Sequence, residues 1–187
     1  MNPLDTIRDW YERRMSQAST APFCLSTVSA DGFPNARFVD LKGVTDQGLL
    51  FGTDERSVKA GEFREHNMVS ACLWWESLAV QIRVRGTVEK ASAPVSDRVF
   101  ATRTPTAQAI ATVSVQSRVL EDEEELKRAL TALVASAPGG LPRPPTWWVF
   151  QIVPVTVEIL SFSDDRIHRR TRFDRLAGVW TSKRLNP

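Results

Sequence analysis

The sequence predicts a mainly β protein of the α+β class, an antiparallel barrel with packed helices, on three observations. Seven or eight short strand-like runs are separated by turn signals at hairpin spacing, and helical patterns fall only at the ends and between hairpins. Both the G-x-G-x-x-G fingerprint and the regular strand–helix alternation of a doubly wound nucleotide-binding sheet are missing. With 187 residues the chain is long enough for a real core, and it reads as one domain over 1–187, with an N-terminal helix in 1–17 and a distinct C-terminal segment in 163–187.

Taken in order, Leu4, Ile7, Trp10, Tyr11 and Met15 recur at helical spacing after Asn2-Pro3, a cap and first-turn pair. Phe23–Val28 and Asn35–Val44 form a hairpin across Ala30-Asp31-Gly32, and Asp46-Gln47-Gly48 turns the chain into Leu49-Leu50-Phe51. A short helix follows over Ser57–His66, with Ser57 as its cap. Met68–Trp75 is nearly all apolar, whereas Leu78–Lys90 alternates, with Val80, Ile82 and Val84 facing one way and Gln81, Arg83 and Arg85 the other. Helices are expected over Ser96–Arg103 and Glu121–Ala135, then strands over Trp147–Val153, Val155–Phe162, Arg166–Phe173 and Val179–Arg184.

The charge balance, 24 basic against 22 acidic residues, is too even for nucleic-acid binding by bulk electrostatics, so an anion bound here is expected to be small. No apolar run approaches the length of a membrane span, and Met1–Arg14 is amphipathic where a signal peptide is continuously apolar, which points to the cytosol. Cys24 and Cys72 sit in apolar runs and read as buried free thiols, and with only His66 and His168 available no metal site is expected.

The basic segment from Asp165 to Pro187 carries the most chemical information. Period-two alternation sets Arg166, His168, Arg170 and Arg172 on one face, a ladder that is tolerated if open to water, paired with acids, or neutralised by a bound anion. A second basic set comes from Arg37, Lys42 and Lys59, with hydroxyls from Thr53 and Ser57, and can hold a phosphate near a helix N-terminus. Arg37 and Lys42 are five apart, so an undistorted strand points them to opposite faces; convergence requires a bulge, a twisted strand end or a subunit interface. Gln116-Ser117, after the apolar stretch Ile110–Val115, and Gln81, near Trp74-Trp75, offer neutral donors and acceptors suited to a flat heterocycle; the plain alternative for Gln116-Ser117 is the end of a strand running into a loop.

In order, these pieces resemble the pyridoxamine 5′-phosphate oxidase family, including its phenazine-biosynthesis branch, from about Pro22 to Pro187. Ala36-Arg37-Phe38-Val39-Asp40-Leu41-Lys42-Gly43 is similar to the family's R-x-V-L-L-K-G strand, Ser57-Val58-Lys59 to its S-R-K, and Gln116-Ser117 to its Q-S. Arg166-Ile167-His168-Arg169-Arg170 with Arg184-Leu185-Asn186-Pro187 looks like its R-L-H-x-R and terminal R-L-x-P. The resemblance implies an FMN-binding split β-barrel, a homodimer with flavin sites at the subunit interface, and an FMN-dependent oxidase passing a hydride from a small anionic heterocycle to flavin and the electrons to O2. It places Arg37, Phe38, Val39, Asp40, Leu41, Thr53, Lys59, Gln81, Gln116, Ser117 and Arg170 at the flavin. Lys42, Arg103, Arg166 and His168 fall at the substrate, Arg166 and His168 nearest the reacting carbon.

Departures from the pattern are as informative. Val58 stands in place of a second phosphate-binding Arg, Leu160 in place of a Trp beside the flavin, and Asp40 in place of a Leu. Val99 and Ala107 replace the Tyr and Ser that help hold a substrate phosphate. The implied substrate is therefore either a pyridoxine or pyridoxamine phosphate or a tailoring substrate such as a dihydrophenazine. A non-catalytic flavin- or heterocycle-binding protein is the alternative of another class.

Overall fold

The computed structural model describes residues 2–187. Helix α1 (Pro3–Met15) starts where expected: the Asn2 side chain accepts the Leu4 N–H at 3.1 Å, and Leu4 and Ile7 are buried beneath it. Strands β1 (Pro22–Val28), β2 (Pro34–Val44) and β3 (Leu49–Asp54) form a meander that leads into helix α2 (Val58–Glu65). After it come β4 (Met68–Trp75), β5 (Val80–Lys90), three helices α3 (Ala93–Ala101), α4 (Pro105–Val113) and α5 (Glu123–Ser136), and then β6 (Trp147–Ser161), β7 (Arg169–Leu176) and β8 (Val179–Leu185).

Every strand pairing is antiparallel, and the sheet runs β3-β2-β1-β4-β5-β6-β7-β8 with β3 also paired to β6. That last pairing closes β3-β2-β1-β4-β5-β6 into a six-stranded barrel, so the fold is an antiparallel split barrel with helices packed on it. The alternation legible in β5 is real: Val80, Ile82 and Val84 fill the barrel, beside Phe23 and Leu25 of β1 and Leu73 of β4. Phe51, Phe63 and Phe150 pack ring to ring on the same core, with centroids 4.8–6.1 Å apart.

The structure corrects four expectations. The segments 147–153 and 155–162 are one strand, β6, because Pro154, which has no N–H, sits where the β5–β6 register shifts at Arg85/Gly86. Gly86 is required there, since a Cβ would lie 2.1 Å from the Val153 carbonyl oxygen. The bulge lets β6 serve two neighbours: Trp147–Ile152 pairs with β3 and closes the barrel, while Thr156–Ser161 pairs with β7 and carries the β7–β8 hairpin beyond it. Second, the apolar stretch before Gln116 belongs to a helix, α4, opened by Thr104 accepting the Ala107 N–H at 3.2 Å and by Pro105 in its first turn.

Third, β7 begins at Arg169, so Arg166 and His168 lie in the preceding turn and are not rungs of a four-residue ladder; Arg166 takes a left-handed backbone, φ +64°, that no regular strand admits. Fourth, Cys24 and Cys72 are half-buried and stand directly opposite each other on β1 and β4, because both fall on the outward parity of strands whose Phe23, Leu25, Ala71 and Leu73 point in. Among the described residues no helix is long and apolar enough to cross a membrane.

Candidate functional site

A cleft of about 490 Å³ opens between β2, the end of β3, the start of α2 and the loop after α4. Eight of the flavin-site candidates line it: Arg37, Phe38, Val39, Asp40, Thr53, Lys59, Gln116 and Ser117. The chemistry converges on Lys59, which α2 sends into the protein; its Nζ donates to Thr53 Oγ1 and to Gln116 Oε1, both at 3.0 Å. Thr53 Oγ1 also donates to Gln116 Oε1 at 3.1 Å and lies 3.3 Å from Ser57 Oγ. Ser57 stands at the N-cap, but its hydroxyl makes no cap bond and is turned to Thr53. Burial, reinforced by the positive charge of Arg37, pulls Lys59 down to a pKa of about 8. Ser117, which lines the cleft, sits at φ +76°, a left-handed backbone.

Arg37 is held by a group that the motifs did not single out. Its Nη2 donates to Glu62 Oε2 at 2.9 Å and its Nη1 to Thr27 Oγ1, and Glu62 also accepts from Thr27 Oγ1 and Asn35 Nδ2. Glu62 is only 6% exposed. Burial pushes its carboxyl up, but the bonds from Thr27, Asn35 and Arg37 together outweigh that and hold it below the usual carboxylate range. The sequence carried a signal for it: Glu62 lies three after Lys59 and one before Phe63, on the inward face of α2.

The other candidates lie elsewhere. Leu41 is in the barrel core, and its backbone is already engaged, N–H to the Ala21 carbonyl and carbonyl to the Tyr11 hydroxyl. Gln81 and Arg170 stand in one row across the sheet, Gln81 opposite Leu160 and Leu160 opposite Arg170, with Trp74 at the row's near end. Arg170 donates to Glu158 at 2.9 Å and Arg172 to Asp174 at 2.8 Å, so acidic neighbours neutralise what remains of the ladder.

The four substrate-side candidates are not gathered within one chain. Lys42 pairs with Asp40 at 2.6 Å, on the opposite parity of β2 from Arg37, and the register shift at Leu41/Gly43 does not bring the two together. Arg103 donates to the Ala107 carbonyl at 2.7 Å with its guanidinium 5.0 Å from the Trp147 ring, in a smaller cleft that shares Gly52, Thr53 and Gln116 with the first. In the exposed turn before β7, His168 Nδ1 accepts the Ser163 N–H at 3.2 Å and the imidazole packs 4.8 Å from Phe162.

Comparison with known proteins agrees with this architecture. Residues 11–142 match the family described as Pyridoxamine 5′-phosphate oxidase, and residues 147–187 match the Pyridoxine 5′-phosphate oxidase C-terminal dimerisation region. The pyridoxine/pyridoxamine 5′-phosphate oxidase of Azorhizobium caulinodans is 40% identical, covering 99% of this chain and 90% of the relative; that of Caulobacter vibrioides is 36% identical, covering 100% and 85%. Among solved structures, PhzG from Burkholderia lata 383 in complex with tetrahydrophenazine-1-carboxylic acid superposes with a TM-score of 0.91 at 27% identity, over 100% of this chain and 93% of that one. A pyridoxamine 5′-phosphate oxidase-related, FMN-binding protein from Nostoc punctiforme shares the fold, with a TM-score of 0.80 at 20% identity over 98% and 96% of the two chains. With both halves of the sequence matched in order and relatives of this identity aligned end to end, the chain belongs to the pyridoxamine 5′-phosphate oxidase family of FMN-dependent oxidoreductases.

Proposed function

We propose that this chain holds FMN in the Lys59 cleft and oxidises a small anionic heterocycle, with O2 as the electron acceptor and hydrogen peroxide as product. The observation that carries the reading is the buried Lys59, seated on Thr53 and Gln116 beside Arg37: two cations near enough for one to depress the other's proton affinity favour an anion between them. A phosphate monoester fits that need, with the hydroxyls of Thr53 and Ser57 as further donors. FMN, when bound, supplies the two-electron oxidation chemistry. The protein's residues bind, orient and exclude water: Lys59 and Arg37 hold the phosphate end, and Gln116 and Ser117 flank it.

Gln81 and Arg170, in their own row on the sheet, complete the flavin site from a second copy of the chain, and Lys42, Arg103, Arg166 and His168 converge on the substrate in the same way. Support for a homodimer comes from the match of 147–187 to a dimerisation region and from aromatic side chains left open on one protomer, Phe38 at 76% and Trp74 at 50% exposure.

The substrate reading that leads is a pyridoxine- or pyridoxamine-phosphate. A dihydrophenazine-like carboxylate is the second, favoured by Val99 and Ala107, which bring no hydroxyl to an incoming phosphate, and by the ligand in the Burkholderia PhzG structure. Flavin absorbance of the purified protein, with added FMN if needed, tests the cofactor; a protein that stays colourless overturns the whole reading. Steady-state turnover on both substrate types decides between them, and normal flavin reduction by pyridoxine phosphate rules out the second.

A further inference from the structure

On the other side of α2 lies a second cleft, of about 580 Å³, whose lining shares no residue with the Lys59 cleft. Its floor is aromatic: Phe63 of α2 and Phe150 of β6, rings 4.8 Å apart, line it, though each is nearly buried in the core. Its rim is cationic, with Arg56 before α2, Arg64 in the last turn of α2 and Lys90 at the end of β5, against the single carboxylate of Glu55.

The partners of those cations differ. Arg56 is clamped by the buried Asp54 at 2.6 Å, and Lys90 reaches Glu55 at 2.8 Å while lying 3.7 Å from the centroid of the Trp148 ring. Among the described residues Arg64 has no carboxylate partner; its one hydrogen bond goes to the neutral Glu55 carbonyl at 2.7 Å. A planar guanidinium with most of its N–H donors unspent, above an apolar aromatic floor, is matched by a flat ring that carries one negative group. The volume is in the range that takes a one- or two-ring molecule.

We propose that this cleft is a second binding site, for a planar aromatic monoanion, with the ring on Phe63 and Phe150 and the anionic group on Arg64, assisted by Lys90. It rests on the cleft's own residues, so it stands or falls separately from the flavin reading.

The test is calorimetric titration of the purified protein, carrying whatever flavin it holds, with 2-naphthoate, its neutral amide and inorganic phosphate. Expected are saturable binding of 2-naphthoate and binding of the amide at least about tenfold weaker, the scale of one charge-assisted hydrogen bond. Arg64→Ala should weaken 2-naphthoate at least about tenfold, and Lys90→Gln by a smaller factor. Lys59→Met should leave it unchanged, which separates this site from the flavin cleft. Undetectable binding, equal binding to Arg64→Ala, or loss in Lys59→Met overturns the proposal, and phosphate binding as tightly as 2-naphthoate reduces the site to an anion pad and removes the aromatic component.

Discussion

Lys59 illustrates how one side chain couples burial to binding. Its ammonium is desolvated and faces Arg37, so the free protein holds that proton loosely, with a pKa near 8 where an exposed lysine titrates near 10.5. Because the folded value is depressed, the charged form costs stability below about pH 8, and this cost is relieved as pH rises from about 8 toward 10.5. Ligand binding runs the other way: a phosphate needs the ammonium, so FMN affinity should fall as pH rises through 8, and binding should take up protons there. Fluorescence titration of FMN between pH 7 and pH 10 measures it, and Lys59→Arg should flatten the profile. Lys59→Met should cost about ten- to a hundredfold in FMN affinity, the scale of one charged hydrogen bond. Glu62→Ala removes the acceptor shared by Thr27, Asn35 and Arg37; a loss of about 1–3 kcal/mol in urea unfolding, with weaker flavin retention, is expected.

Among the elements, β6 decides the architecture. A strand of 15 residues with a proline inside it survives because the bulge opposite Gly86 absorbs the missing donor, and that bend hands β6 from the barrel to the hairpin. Gly86→Val should therefore destabilise the protein by about 3 kcal/mol or more, since no rotamer removes a Cβ from the Val153 carbonyl oxygen. Thermal unfolding reads that loss. Helix α2 is the other pivotal element. Eight residues long, it sets Val58 and Lys59 on the phosphate-sized cleft and Ala60, Phe63 and Arg64 on the second one, while Glu62 between them anchors Arg37.

At the scale of the whole molecule, the candidate residues fall into separate groups, one in the cleft and one on the outer sheet and C-terminal turn, and a second copy is the simplest way to bring them together. Trp74→Asp should shift the protein to monomer in size-exclusion chromatography and lose flavin with it, although residue 74 lines neither cleft. The division of roles along the C-terminal segment has its own check. Arg166→Ala should reduce turnover more than flavin content, and Arg170→Ala the reverse; equal effects on both count against it.

Much of this was written in the sequence. Period-two alternation in β5, the Asn2-Pro3 start of α1 and the hairpin turns specified an antiparallel barrel, because side-chain parity and turn chemistry are local properties of the chain. Motif order and spacing pointed to the family and assembled most of the cleft in advance, Arg37, Lys59 and Gln116 among them. Three things had to wait for the folded molecule. The reading of Ile110–Val115 as the end of a strand failed, since Pro105–Val113 is helical: a short apolar run fits helix and strand alike, and only the Thr104-Pro105 start distinguished them. The ladder of Arg166, His168, Arg170 and Arg172 dissolved because a turn at Arg166 breaks the parity on which it depended. Glu62 became visible as Arg37's partner only when α2 was laid against β1 and β2, for an ion pair across 25 residues is fixed by packing, and no local pattern encodes it.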